Sequence, residues 1–198
     1  AYRFSAAFVA ILLYLLVKKS EINYNFSKLK KTLPLTIFHP LMFFAFQTFG
    51  LIYASSSEGG ILSASIPIFT LILATIFLKE HTTTPQKISV LASVLGVIYI
   101  ALMKGTSFES GSLLGIILLL ISNLSFSIYS VLARKMTKDF TTLELSLTMI
   151  FVSFISFNTL AIISNLRAGT IGDFLFLLTD LQFVISILYL GVLSTLVT

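Results

Sequence analysis

Long apolar runs constrain this chain more than any other feature in it. Residues 58–80 read EGGILSASIPIFTLILATIFLKE. A helix at the surface of a soluble protein would carry a charged face, and this run offers only hydroxyls and one proline between its ends. Several runs approach the ~20 apolar residues that cross a hydrocarbon layer. The backbone must satisfy its own hydrogen bonds there, so the runs are expected to be helices. They are too long and too evenly apolar for the alternating strands of a barrel. Composition agrees, with 57% of residues hydrophobic and 11% charged. The expected fold is therefore all-α, a polytopic helical membrane bundle. Its spans are read at residues 4–17, 33–53, 59–78, 88–103, 112–133, 143–163 and 183–198. The seventh reaches Thr198 still apolar and is expected to be incomplete.

The charges orient the bundle. If the loop after the first span is cytoplasmic, Lys18, Lys19, Lys28, Lys30, Lys31, Lys79, Lys87, Arg134, Lys135 and Lys138 all lie inside. Arg3, Lys104 and Arg167 lie outside. That asymmetry follows the positive-inside rule. Residues 55–60 form a small-residue outer hairpin, 104–111 an outer linker, and 174–178 an apolar stretch too short to span. The basic residues gather at the ends of spans, so the net charge of +5 points to loop anchoring and not to nucleic acid. There is no cysteine, and His39 and His81 stand far apart without acidic partners at metal-ligand spacing. No Walker-type glycine loop is present. No metal, no cofactor and no enzymatic constellation is expected.

Polar residues recur at helical spacing on three runs. Ser63, Pro67, Thr70 and Ala74 share one face, as do His39, Phe43, Gln47 and Gly50. Asn123, Ser127 and Ser130 share another, with Tyr129 beside them. Polar groups inside a membrane face the bundle or a watery cavity. Transporter sites lie near the midplane, where Gln47, Pro67, Thr70 and Asn123 fall. These residues either line a cavity or serve packing, with the hydroxyls bonding their own helices. The proline either bends its helix or exposes a carbonyl. His39 suits a proton relay or an interfacial contact. Glu58 suits a helix cap or proton coupling. Glu80 is expected to pair with Lys79 or Lys87 and Glu144 to be solvated, while Gly111 and Gly115 mark close helix packing.

The order YASSSEGG, SIPIFTLILATIFLKE, ISVLASVLGVIYI resembles the EamA-type drug/metabolite transporters, on Pro67, Glu80, Gly96 and Val97. The family often has a glycine where this chain has Ser89, which implies a slightly looser contact there. YRFSAAFVAILLYLL is similar to the family's second helix and GSLLGIILLLISNLSFSIYSVLARK to its sixth. The resemblance implies ten helices in two inverted repeats. Residues 1–104 would hold helices two to five of the first repeat, and 111–198 helices six to eight of the second, the last in part. It further implies a secondary active exporter or exchanger of small organic metabolites such as amino acids, working by alternating access. Its substrate residues would be His39, Phe43, Gln47, Pro67, Thr70, Asn123, Ser127 and Tyr129, and its proton-coupling candidates His39 and Glu58. A sugar-phosphate or nucleotide-sugar exchanger is the alternative, and a membrane-embedded transferase stands behind it. The expected partners are a small-molecule substrate, the bilayer and, in a homodimer, a second copy of the chain. The expected location is the plasma membrane.

Overall fold

The computed structural model describes residues 1–18, 26–80, 82–103, 110–137 and 139–193. Half of the expected basic loop, most of the outer linker, His81, Lys138 and the end of the seventh run lie outside the described residues. The described residues are helical, without strands. The helices are α1 (Tyr2–Lys18), α2 (Phe26–Thr36), α3 (Phe43–Tyr53), α4 (Ser56–Ser63), α5 (Ile66–Phe77), α6 (Thr84–Met103), α7 (Ser110–Met136), α8 (Thr142–Ala168), α9 (Ile171–Phe176) and α10 (Leu181–Leu188). Among the described residues four stretches are long and apolar enough to cross a membrane: Lys30–Tyr53, Ser56–Phe77, Leu113–Met136 and Thr142–Ala168. Tyr2–Leu16 and Leu181–Gly191 are shorter apolar helices. The fourth expected span coincides with α6, whose first turns carry Thr84, Pro85, Gln86, Lys87 and Ser89.

The chain folds as two compact units, Ala1–Leu33 with Thr141–Thr198, and Pro34–Phe140. Each draws on both sequence stretches, 1–104 and 111–198.

In the first unit α1 packs along α8 and α10. Small Ala7 lets Ile11 and Ile150 meet in its core. Phenylalanines pair across the seam, Phe4 on Phe157 with centroids 4.8 Å apart and Phe8 on Phe154 at 4.4 Å. Gly191 admits α1 closely: a Cβ there would lie 2.6 Å from the Ala6 Cβ and 2.8 Å from the Arg3 carbonyl oxygen. A capping box starts α8. Glu144 N–H donates to Thr141 Oγ1, and Glu144 Oε2 accepts from Thr141 N–H at 2.9 Å. Glu144 is only 7% exposed, which corrects the expectation of a solvated carboxylate. At the other end Gly169 takes φ +69°, a left-handed cap that glycine adopts without strain.

In the second unit α7 is the central strut, packed on α3, α4 and α5. It approaches α3 through Gly115 and Gly50. A Cβ at Gly115 would come within 2.8 Å of Ala54 N and 2.9 Å of the Gly50 carbonyl oxygen. Gly96, by contrast, faces open space. The expected hairpin at 55–60 is shorter than its small residues suggest. Ser55 and Glu58 form a capping box, so the helix already begins at Ser56.

Candidate functional site

Two helices in the second unit are interrupted, and both interruptions lie against α7. The first separates α2 from α3. His39 takes extended angles (φ −139°, ψ 120°) before Pro40, and the Phe43 N–H reaches back five residues to the Phe38 carbonyl. Proline has no N–H to donate, which frees a carbonyl and lets the helix bend. The second separates α4 from α5. The helix turns at Ala64–Ser65, and Pro67 sits in the first turn of α5, where its missing N–H is tolerated.

The side chains of α7 bond to backbone at both places. Ser122 Oγ donates to the Phe43 carbonyl at 2.8 Å. Asn123 Nδ2 donates to the Leu62 carbonyl at 2.8 Å and to Ser65 Oγ at 3.2 Å. Ser127 Oγ is placed 3.1 Å from the Ile66 carbonyl oxygen and 2.9 Å from that of Asn123. Ser122 and Ser127 are fully buried and Asn123 is 3% exposed. Their donors therefore meet backbone carbonyls that flank the two breaks: Leu62 near the end of α4, and Phe43 and Ile66 at the starts of α3 and α5.

Beside the first interruption stands an aromatic cluster. The His39 ring stacks on Tyr129 with centroids 4.8 Å apart. Phe43, Phe44 and Phe126 surround it at 5.3 to 5.4 Å. A cavity of about 500 Å³ opens where α5 ends and α6 begins, with Pro67, Thr70, Gln86 and Ser89 in its wall. Glu80 and Arg134 line it too, joined by a 3.0 Å ion pair. Arg134 thus takes the place of the expected partners Lys79 and Lys87.

The expected site residues divide into three groups. His39, Phe43 and Tyr129 meet in the aromatic cluster, Asn123 and Ser127 bond the helix break, and Pro67 and Thr70 face the cavity. Gln47 lies one turn beyond Phe43 on α3, and the Glu58 carboxylate accepts from both Ser55 N–H and Ser55 Oγ in its cap. Sequence reading passed over Ser122, Phe44, Phe126, Gln86 and Arg134. It also passed over Asn158, a mid-helix amide on α8. Ser5 Oγ donates to Asn158 Oδ1 at 3.0 Å in the wall of a mostly apolar cavity of about 570 Å³ in the first unit. An amide inside an apolar run was the signal available for it.

The model of the EamA-like transporter family matches residues 1–102 of the chain, just over half of its length. The chain belongs to that family. This EamA-like chain is 43% identical over all its 198 residues to the "Uncharacterized transporter YcxC" of Bacillus subtilis, of which it spans 64%. It is 29% identical over 150 residues to the "Uncharacterized transporter in sor 3'region" of Acidianus ambivalens, spanning 54% of that protein. An "Uncharacterized transporter" of Archaeoglobus fulgidus is 26% identical over 167 residues, with 55% of its length covered. No solved structure matches the chain. Membership and the four apolar helices make it an integral membrane protein.

Proposed function

We propose that this EamA-like protein is a secondary active transporter of small organic metabolites such as amino acids, with two inverted repeats alternating access across the plasma membrane. The observation that carries this reading is the pair of interrupted helices held against α7. Secondary transporters build their sites from discontinuous helices because a break supplies oriented backbone groups in the middle of the bilayer. The aromatic cluster adds apolar faces beside one break, and Gln47 adds a sparse polar group one turn along α3. That mixture suits a small-molecule site. In this reading His39, Phe43 and Tyr129 wall the substrate, Asn123, Ser127 and Pro67 hold the break in shape, and His39 is the proton-coupling residue. Glu58 acts as a cap. The ends of α5 and α7 that carry Lys79, Arg134 and Lys135 face the cytoplasm.

Flux through proteoliposomes holding the full-length gene product tests the function. Parent protein should move at least one metabolite of an amino-acid panel, and Tyr129→Ala should slow that flux without loss of folded protein. No flux of any small solute would sink the proposal. Orientation is read separately in intact cells. A cysteine at Ser56 should react with an impermeant maleimide and one at Thr83 should not; the reverse pattern inverts the topology.

A further inference from the structure

We propose that the Glu80–Arg134 pair and the cavity behind it form a binding site for a zwitterionic ligand, distinct from the aromatic cluster at His39. The cavity holds about 500 Å³, the size range of small-molecule sites. Its wall is apolar at Leu71 and Val90 and carries Thr70 and Ser89 as well. Ser89 Oγ already gives its hydrogen to the Pro85 carbonyl at 3.0 Å, which leaves the oxygen's lone pairs to accept. The Thr70 hydroxyl makes no hydrogen bond among the described residues, so it is free to donate or accept. Glu80 and Arg134 both line this space, one of each sign, 3.0 Å apart.

An exposed ion pair of this kind is held weakly, because water already solvates both charges. A ligand that carries an ammonium and an anionic group can replace the pair at little cost, each of its charges taking one partner. A ligand with a single charge would leave either the carboxylate or the guanidinium without its match, which is discrimination by an unpaired charge. The guanidinium also suits a planar carboxylate or a phosphate through parallel N–H donors. The chemistry is shared by a free amino acid and by the headgroup of phosphatidylethanolamine.

Calorimetry on the purified full-length protein in detergent tests the site with leucine, leucine methyl ester and N-acetyl-leucine. A second arm replaces leucine with nanodiscs of phosphatidylethanolamine or phosphatidylglycerol and scores competition. The parent should bind leucine or retain phosphatidylethanolamine in preference to the singly charged probes. Glu80→Gln should weaken that binding by roughly tenfold, the loss of about one charge-assisted contact. It should also move preference toward N-acetyl-leucine, and Arg134→Gln should move it toward the methyl ester. A merely structural pair would not reverse probe preference in opposite directions. The exchanged variant Glu80→Arg with Arg134→Glu keeps both charges and should keep zwitterion binding. Competition by phosphatidylethanolamine with the same variant dependence identifies a lipid headgroup as the source; leucine binding without it identifies a free solute. Binding that neither Gln variant alters, or no binding of either zwitterion, overturns the proposal. Proteoliposome flux is read apart from this. Binding as expected without flux removes the transporter reading and leaves this one, and flux with variant-insensitive binding does the opposite.

Discussion

The two compact units differ in how polar side chains join their helices. In the unit built on α7 those side chains bond to backbone carbonyls of other helices: Ser122 to Phe43, Asn123 to Leu62 and Ser127 to Ile66. In the unit built on α1 and α8, Ser5 meets Asn158 and Thr32 meets Thr148 at 3.1 Å side chain to side chain, while Tyr2 donates to the Phe174 carbonyl. The difference follows from the helices themselves. Around α7 two helices are broken, and the polar side chains of α7 bond carbonyls that flank the breaks, which fixes the halves in place. Between α1 and α8 both helices run unbroken, so their backbone needs nothing from a side chain. Stacked phenylalanines do the packing there instead. A polar residue in a membrane helix therefore reports on the continuity of its neighbour as much as on a ligand.

Four substitutions bear on that contrast, beginning with the most disruptive. Gly115→Leu places a side chain where even a Cβ meets the Gly50 carbonyl and the Ala54 backbone. Neither contact can swing away, so α7 must leave α3 and the bonds of its strut with it. The expected cost is ~3 kcal/mol, the upper end for overpacking. It should appear as a lost folded fraction in thermal unfolding of the detergent-solubilised protein. A parent-like midpoint would mean that α7 does not hold its unit together.

Asn123→Leu is milder. The helix at α7 survives, but the Ser65 hydroxyl loses its Asn123 donor and the Leu62 carbonyl is left with the Ser65 N–H. Two such bonds, at about 0.5–1.5 kcal/mol each, make the expected cost about 1–3 kcal/mol. Ser127→Ala removes a hydroxyl that can also bond its own helix at Asn123, so a smaller loss, under about 1 kcal/mol, is expected. The same unfolding midpoint ranks the two. If Ser127→Ala proves the more damaging, the break is held from Ile66 and not from Leu62.

How far all this could be read in advance depends on what a periodic pattern contains. Apolar runs announce helices because the bilayer allows little else, and each long run is helical over its described residues, two of them with a break. Spacing at three and four residues also put Asn123 and Ser127 on one face correctly. Spacing says nothing about what stands opposite. Ser122, one residue off that face, reaches Phe43 from another part of the chain. Arg134 finds Glu80 across 54 residues, past the lysines adjacent in sequence. Glu144 looked like a carboxylate at a helix end open to water, and burial of the α8 start covered it. Pro67 announced an irregularity, but a proline fits a bend and a first turn equally well. The turn at Ala64–Ser65 is held by Asn123 and Ser127, which lie far away in the chain.

The smallest effect is the most discriminating. Asn158→Leu removes an amide from the same kind of helix interior as Asn123→Leu, yet it should cost only ~0.6 kcal/mol, the typical value for a polar contact between membrane helices. Asn158 Nδ2 donates to the Phe154 carbonyl of its own helix at 2.8 Å, one turn back within unbroken α8. That carbonyl is therefore not left bare when the amide goes. The other partner, the Ser5 hydroxyl, can rotate to a carbonyl of its own helix, as Ser125 and Ser153 already do in theirs. Leucine also suits the apolar cavity wall that Asn158 shares with Val9 and Val184. Thermal unfolding of the Asn123→Leu and Asn158→Leu proteins side by side, in one detergent, measures the contrast directly. A gap of about 1 kcal/mol or more in favour of Asn158→Leu is expected from the two costs above. Equal destabilisation would show that the amide of α8 holds its unit as Asn123 holds its own, and the division between polar groups that mend a broken backbone and polar groups that meet each other would fail.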